Sequence, residues 1–264
     1  YTYIKIRKVG NGIMKKREIN YDYLRAISCI AIIMLHVSGS YWGAVDTGNL
    51  EFLVMAVYNG LTRFAVPVFI MLSGAFVLDV SKENDITKCL RRFGKLVLNF
   101  YLWSAFFAFQ GIGIKLLTGK VVTDELWKTS LQRFLWGHHH MWFVFLILGF
   151  YILVPILRTI VANKSITEYF LLLWIGFRFI IPTISVWINW YLLDNWIAHL
   201  NLNILIGYLG YFILGYYIRK YGVSKKAQWG IYVLGICGLV YSLVQTVIQS
   251  RQLGEVVETF YSPG

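Results

Sequence analysis

Arg25 and His36 stand eleven positions apart inside one long apolar run. On a helix of about 100° and 1.5 Å per residue, that spacing brings both side chains within about 20° of one face and separates them by about 16 Å along the axis. A long ligand lying along this stripe would place anionic groups at Arg25 and its reactive end near His36. Each residue alone has a structural alternative. Arg25 snorkels to the headgroups, with Asp22 one turn away, or His36 hydrogen-bonds a neighbouring helix. Their shared face makes the joint functional role the stronger reading. Two more arginines lie deep in apolar segments. Arg63 must face protein or a wet cavity, because an arginine at a membrane-helix centre costs ~2.5 to 3.5 kcal/mol on insertion scales. Pro67 leaves the Arg63 carbonyl without its helical donor and is expected to bend the helix there. Arg178 is a candidate by the same membrane cost, with no pattern that names its task. Ser73 and Gly74 permit close helix approach, and Ser73 is retained as a candidate cavity residue.

The elements that hold these residues follow from composition. Of 264 residues, 58% are hydrophobic and 14% charged, about half the ~25% charge of a soluble domain. That excludes an ordinary soluble fold and implies an all-α, polytopic helical membrane protein. Seven runs approach the ~20 residues needed to cross a bilayer: residues 22–42, 52–78, 96–117, 141–161, 166–182, 202–218 and 229–249. The net charge of +12 would suggest nucleic acid on a soluble protein, but here its distribution explains it. Seventeen of the twenty-five basic residues fall in segments on the side of the N-terminus, five fall on the other side, and Arg25, Arg63 and Arg178 lie within spans. The excess of Lys and Arg marks the cytoplasmic side, so the N-terminus is expected in the cytoplasm and no nucleic-acid partner is expected. Residues 1–13 precede Met14-Lys15-Lys16-Arg17, which looks like a natural start; they read as an upstream extension or a vector-derived remnant. Residues 183–201, with Trp187, Trp190, Tyr191 and Trp196, read as an interfacial aromatic segment on the outer side. Cys29, Cys89 and Cys237 are scattered and odd in number, which gives no disulfide framework. His138, His139 and His140 are consecutive, so they point in different directions on a helix, and no Cys or carboxylate partner has a suitable spacing; no metal is expected.

These residues, taken in order, resemble the membrane acyltransferase type 3 family. The resemblance rests on Tyr21-Asp22-Tyr23-Leu24 and Arg25-x10-His36, on Arg63-Phe-Ala-Val-Pro67-Val-Phe69 with Ser73-Gly74-Ala75-Phe76, and on the basic cluster Arg91-Arg92-Phe93-Gly94-Lys95. It continues through His140-Met141-Trp142-Phe143 and Pro155 to Gly210-Tyr211-Phe212-Ile213-Leu214-Gly215-Tyr216. It implies a multi-pass plasma-membrane enzyme that moves an acyl group, usually acetyl from acetyl-CoA, to a hydroxyl of an exported or cell-surface glycan. Under it, His36 matches the family's motif histidine and would be the general base. Arg25 would bind CoA phosphate or hold the thioester end. Arg92 matches the first arginine of a cytoplasmic RxxR pattern whose second position here is Lys95, which keeps the charge and loses the planar fork. With Arg91 these residues form the expected CoA-binding set. Arg63 would stabilise a developing oxyanion or orient the acceptor. His140 would be an active-site-rim or hydrogen-bonding residue, and Trp142 would cap a cavity or anchor at the interface. Family members generally have about ten membrane helices, so residues 14–264 are expected to form an acyltransferase-like domain that lacks its C-terminal helices.

Two other functional classes remain open at this level. A transporter or flippase for a glycan or small anion would line its path with Arg25, His36, Arg63 and Arg178, but the basic cluster at residues 88–95 suits a phosphate-rich cytoplasmic ligand better. The membrane module of a larger enzyme is the other.

Overall fold

The computed structural model describes residues 18–81, 85–137, 141–188, 199–200 and 207–257, with side chains described to residue 184 in the third stretch. Every regular element among them is helical. In chain order they are α1 (Ile19–Trp42), α2 (Leu50–Thr62), α3 (Ala65–Val77), α4 (Ile86–Leu117), α5 (Asp124–Trp136), α6 (Trp142–Ala162), α7 (Lys164–Ile175), a π turn (Gly176–Ile180), α8 (Ile181–Ile188), α9 (Leu209–Tyr221) and α10 (Lys225–Leu253). Six stretches among the described residues are long and apolar enough to span a membrane: Ile19–Trp42, Leu50–Val77, Ile86–Leu117, Trp142–Ala162, Lys164–Ile184 and Lys225–Leu253.

Packing follows membrane rather than aqueous logic. On α1 the packed residues are Ser28, Ala31, Ser38 and Trp42, three of them small, while Ile27, Ile30, Ile33 and Val37 point outward. Lipid solvates the large aliphatic side chains, and the small ones let helices approach. α10 carries this furthest, with only 6% of its central window buried.

The second predicted span is two helices. α2 ends at Thr62 and α3 begins at Ala65, with Arg63 and Phe64 between them. Pro67 has no N–H to offer the Arg63 carbonyl, and the ladder resumes only with Val68 N–H donating to Phe64 at 3.0 Å. The expected bend is thus a break at the anticipated position. The fifth span runs from Lys164 to Ile184, longer than the predicted 166–182, and passes through the π turn. The predicted span 202–218 is represented among the described residues by α9, thirteen residues beginning at Leu209. α5 corresponds to no predicted span. It is amphipathic rather than continuously apolar, capped by the Thr123 hydroxyl accepting from Leu126 N–H and closed by Gly137 at φ +75°. Of the predicted interfacial segment, residues 183–188 are helical as part of α8, and residues 189–198 lie outside the described set.

The core centres on α9, which buries Leu209, Gly210, Phe212, Ile213, Gly215 and Tyr216 against Ile70, Phe150, Val154 and Trp174. α3 and α9 run in the same direction, and they meet at two glycines. A β-carbon on Gly74 would overlap the Phe212 backbone, and one on Gly215 would overlap the Met71 backbone. Each glycine is the space the other helix occupies.

We expect Gly215→Ala to destabilise the bundle by about 1–3 kcal/mol through overpacking. Gly238→Ala on α10, where a β-carbon meets nothing within 4 Å, should leave stability unchanged or slightly raised. Thermal melting of the detergent-solubilised protein distinguishes the two.

Candidate active site

Side-chain contacts gather the ends of five helices at one end of the bundle. Arg219 near the C-terminus of α9 donates to the Ala75 carbonyl of α3 at 2.9 Å and to Glu18, just before α1, at 2.7 Å. Asp79 lies 3.8 Å away. Arg158 of α6, 4% exposed, donates through Nε and Nη2 to the Val77 carbonyl at 3.2 and 2.8 Å. It thereby satisfies the C-terminus of α3, whose last carbonyls have no intrahelical donors. The Tyr217 hydroxyl bonds Glu168 of α7 at 2.6 Å.

Arg25 belongs to this end. It pairs with Asp22 at 2.9 Å, as the structural alternative anticipated, and its guanidinium also lies 4.7 Å from the centre of the Phe76 ring. Arg219 lies 4.3 Å from the same centre. Two guanidiniums therefore share one aromatic ring, with Asp22, Glu18 and Asp79 offsetting their charge. Tyr21 meets Phe76 edge-on at 5.1 Å. Beside this stack lies a cavity of about 420 Å³, lined by Glu18, Tyr21, Asp79, Tyr216, Arg219 and Lys220 among others.

His36 and Arg63 form a second, deeper group. α1 and α2 pack antiparallel: Trp42 and Phe52 rings are 6.1 Å apart, and the Gly39 backbone faces the Asn59 amide. Extended, those contacts put Arg63 opposite residues 31–35 of α1, about one helical turn from the level of His36. Asn59, 2% exposed, accepts from Arg63 Nε at 2.7 Å, which orients the guanidinium. His36 is half-buried at the flank of the packed face of α1, and its carbonyl accepts from the Ser40 hydroxyl at 2.8 Å. At 1.5 Å per residue it lies about 16 Å along α1 from Arg25.

The other expected residues divide as follows. Arg91, Arg92 and Lys95 are exposed on the first turns of α4, a helix capped by Asp85 accepting from Thr87 and Lys88 N–H. α4 packs mainly on α5 and α6, so this cluster is not built into the Arg25 stack. The Ser73 hydroxyl donates to the Phe69 carbonyl of its own helix at 3.0 Å, next to the Gly74 contact. Trp142 opens α6, and its ring lies 6.0 Å from that of Tyr208. Arg178, in the π turn, also lies 6.0 Å from Tyr208, so Tyr208 brings these two candidates together at the opposite end of the bundle. His140 lies outside the described residues. Among the described residues, no group of three or more His, Cys, Asp or Glu side chains could hold a metal.

The family model for an acyltransferase domain of this type matches residues 18–261. The chain belongs to the membrane acyltransferase type 3 family. It is a membrane acyltransferase, and Arg25 and His36 sit on one helix at the two levels just described. Comparison with curated proteins finds no match, and comparison with solved structures finds none either.

Three residues of this type 3 acyltransferase escape a reading by motif: Arg158, Arg219 and Asn59. Arg158 falls inside the predicted span 141–161, where its membrane cost is the available signal. Arg219 follows the predicted span 202–218 by one residue and carries no distinguishing pattern. Asn59 is a polar residue deep in an apolar run, four positions before Arg63, the spacing that lets side chains meet on a helix.

Arg158→Ala should destabilise the protein by about 2–3 kcal/mol, since it removes charge-assisted hydrogen bonds from a buried carbonyl. Arg158→Lys should recover part of the loss. Melting temperatures of the two variants in one detergent test this ordering.

Proposed function

We propose that this acyltransferase takes an acyl group, most simply acetyl, from acyl-CoA at the cytoplasmic face and transfers it to a hydroxyl of an exported or cell-surface glycan. The observation that carries the reading is the two-level arrangement on α1: a stacked cation at the basic end and, about 16 Å deeper, an imidazole about one helical turn from the level of Arg63. The charge distribution supports it. Arg25, Lys88, Arg91, Arg92, Lys95, Arg219, Lys220, Lys225 and Lys226 lie at the end of the bundle where α1 begins, and an excess of this kind marks the cytoplasmic side of the plasma membrane. On this orientation CoA phosphates meet Arg25 and the exposed Arg91, Arg92 and Lys95, while the pantetheine arm spans the interval to His36.

In the transfer step the His36 imidazole takes the proton of the acceptor hydroxyl as its oxygen attacks the thioester carbonyl. Arg63, oriented by Asn59, stabilises the oxyanion of the tetrahedral intermediate. Collapse breaks the carbon–sulfur bond, the acyl group stays on the acceptor oxygen, and the imidazolium returns its proton to the CoA thiolate. Atoms and charge balance without metal or redox chemistry. An acyl-histidine route uses the same residues in two steps, and rapid-quench labelling with radioactive acetyl-CoA separates it from direct transfer.

His36→Ala should lower transfer by about 10²–10⁴-fold, the usual worth of a positioned general base, while leaving CoA binding intact. Unchanged turnover in that variant would refute the mechanism. In cells, deleting the gene should remove an acetyl-sized mass from a surface glycan in mass spectrometry. Substrate movement without acyl-CoA consumption would favour a transporter instead.

A further inference from the structure

α5 does not leave the membrane when α4 ends. The Trp127 ring lies 6.2 Å from that of Phe109, and the Phe134 ring lies 5.3 Å from that of Tyr101. The Ser104 hydroxyl reaches the carbonyls of Phe134 and Arg133 at 2.7 and 3.2 Å. A β-carbon on Gly137 would come within 2.9 Å of the Phe100 ring. As the chain advances from Trp127 to Gly137, its partners on α4 therefore fall from Phe109 to Phe100, so α5 descends along the apolar stretch of α4 that ends before Lys115. Ser104, 1% exposed, serves carbonyls of the last turn of α5, which have no donors within their own helix. Hydrocarbon offers none either, and a buried serine at this site is what a helix ending inside the bilayer requires.

The helix has three faces. Ser130 is buried and Phe134 half-buried on the side toward α4. Trp127, Leu131 and Leu135, four positions apart, form an exposed apolar stripe suited to lipid. Glu125, Lys128 and Gln132 form an exposed polar stripe beside it, and Arg133 stands on the far edge of that polar side. Arg133 is the telling residue. It is level with Ser104, eleven positions and about 16 Å before Lys115, which is beyond the reach of a snorkelling side chain. Among the described residues its guanidinium has no hydrogen bond or ion pair. A charge held at this depth faces a water-filled space, because lipid makes it costly. Below it, the chain enters α6, whose Phe143 meets Phe69 at 5.5 Å. Phe69 is six residues past Arg63, about 9 Å along the chain axis.

We propose that α5 is a re-entrant helix whose polar face lines a water-filled vestibule open to the outer side, and that this vestibule admits the hydroxyl-rich acceptor to the level of the transfer step. The vestibule follows from the packing of α5 alone; its use by the acceptor rests on the acyl-transfer reading above. Charges of both signs with an amide between them, on Glu125, Lys128, Gln132 and Arg133, suit a ligand that both donates and accepts hydrogen bonds.

The test places single cysteines on α5 in the full chain, with the exposed Cys29 and Cys237 changed to alanine and the buried Cys89 kept. Intact cells are treated from outside with a membrane-impermeant sulfonated methanethiosulfonate. Thiols react as thiolates, which form in water and not in hydrocarbon, so Lys128→Cys and Gln132→Cys should react at least about ten-fold faster than Leu131→Cys and Leu135→Cys. Leu131 and Gln132 are neighbours at one depth, so the contrast reads the face and not the distance from the surface. Equal reaction at all four positions would place α5 in water outside the bilayer and overturn the re-entrant assignment. Protection of all four in cells, with labelling after denaturation, would overturn the vestibule. A bulky maleimide on the Gln132→Cys thiol should then reduce the acetyl mass on the surface glycan while coenzyme A binding is unchanged. Undiminished acetylation would remove the acceptor from the vestibule. A parent chain that binds no coenzyme A would refute the donor reading and leave the accessibility result standing.

Discussion

The parallel contact of α3 with α9 at Gly74 and Gly215 governs the geometry of everything at the basic end of the bundle. Because the two backbones touch, both helices terminate at the same level, and their C-terminal carbonyls, which carry partial negative charge, lie side by side. Arg219 and Arg158 reach the carbonyls of Ala75 and Val77 from α9 and α6. A larger residue at either glycine would push the helices apart, and the arginines would lose the carbonyls they serve. In lipid no water would replace them.

That shortage of water explains why arginine carries so many roles in this chain. A guanidinium has five N–H donors in a plane, so it can satisfy a carbonyl, a carboxylate and an aromatic face together. Arg219 does this with Ala75, Glu18 and Phe76. Arg63 shows the same economy at depth, where the break before α3 opens beside it and Asn59 fixes its Nε. The break and the arginine depend on one another: Pro67 removes a donor, and the irregular backbone it leaves needs a polar environment. Such irregularity persists in membranes where protein or a cavity covers it.

Much of this was legible in order. Lipid demands long apolar runs, so the spans stood out by composition, and the loss of the Pro67 donor located the break between α2 and α3. The stripe of Arg25 and His36 followed from helical period alone. α5 was not legible as a span because its charges interrupt it; it folds by packing on α4, where the Ser104 hydroxyl donates to the carbonyls of Arg133 and Phe134. Ser73 shows the limit of motif reading in the opposite direction. Its hydroxyl turns back onto its own helix, and the close contact belongs to Gly74.

Sequence alone determined which residues are costly in lipid and at what depth along their own helix each one lies, because hydrophobic length and the 3.6-residue period are local properties of a chain. It also determined the family, through an ordered series of such residues. Tertiary structure decided the partnerships: that Arg25 and Arg219, almost two hundred positions apart, share the Phe76 ring; that Arg63 comes within about one helical turn of the level of His36; that Arg158 serves α3; and that α5 turns back along α4. These depend on which helices run parallel and how closely they approach. Such contacts are set by pairs of residues distant in sequence, and no local pattern carries that information.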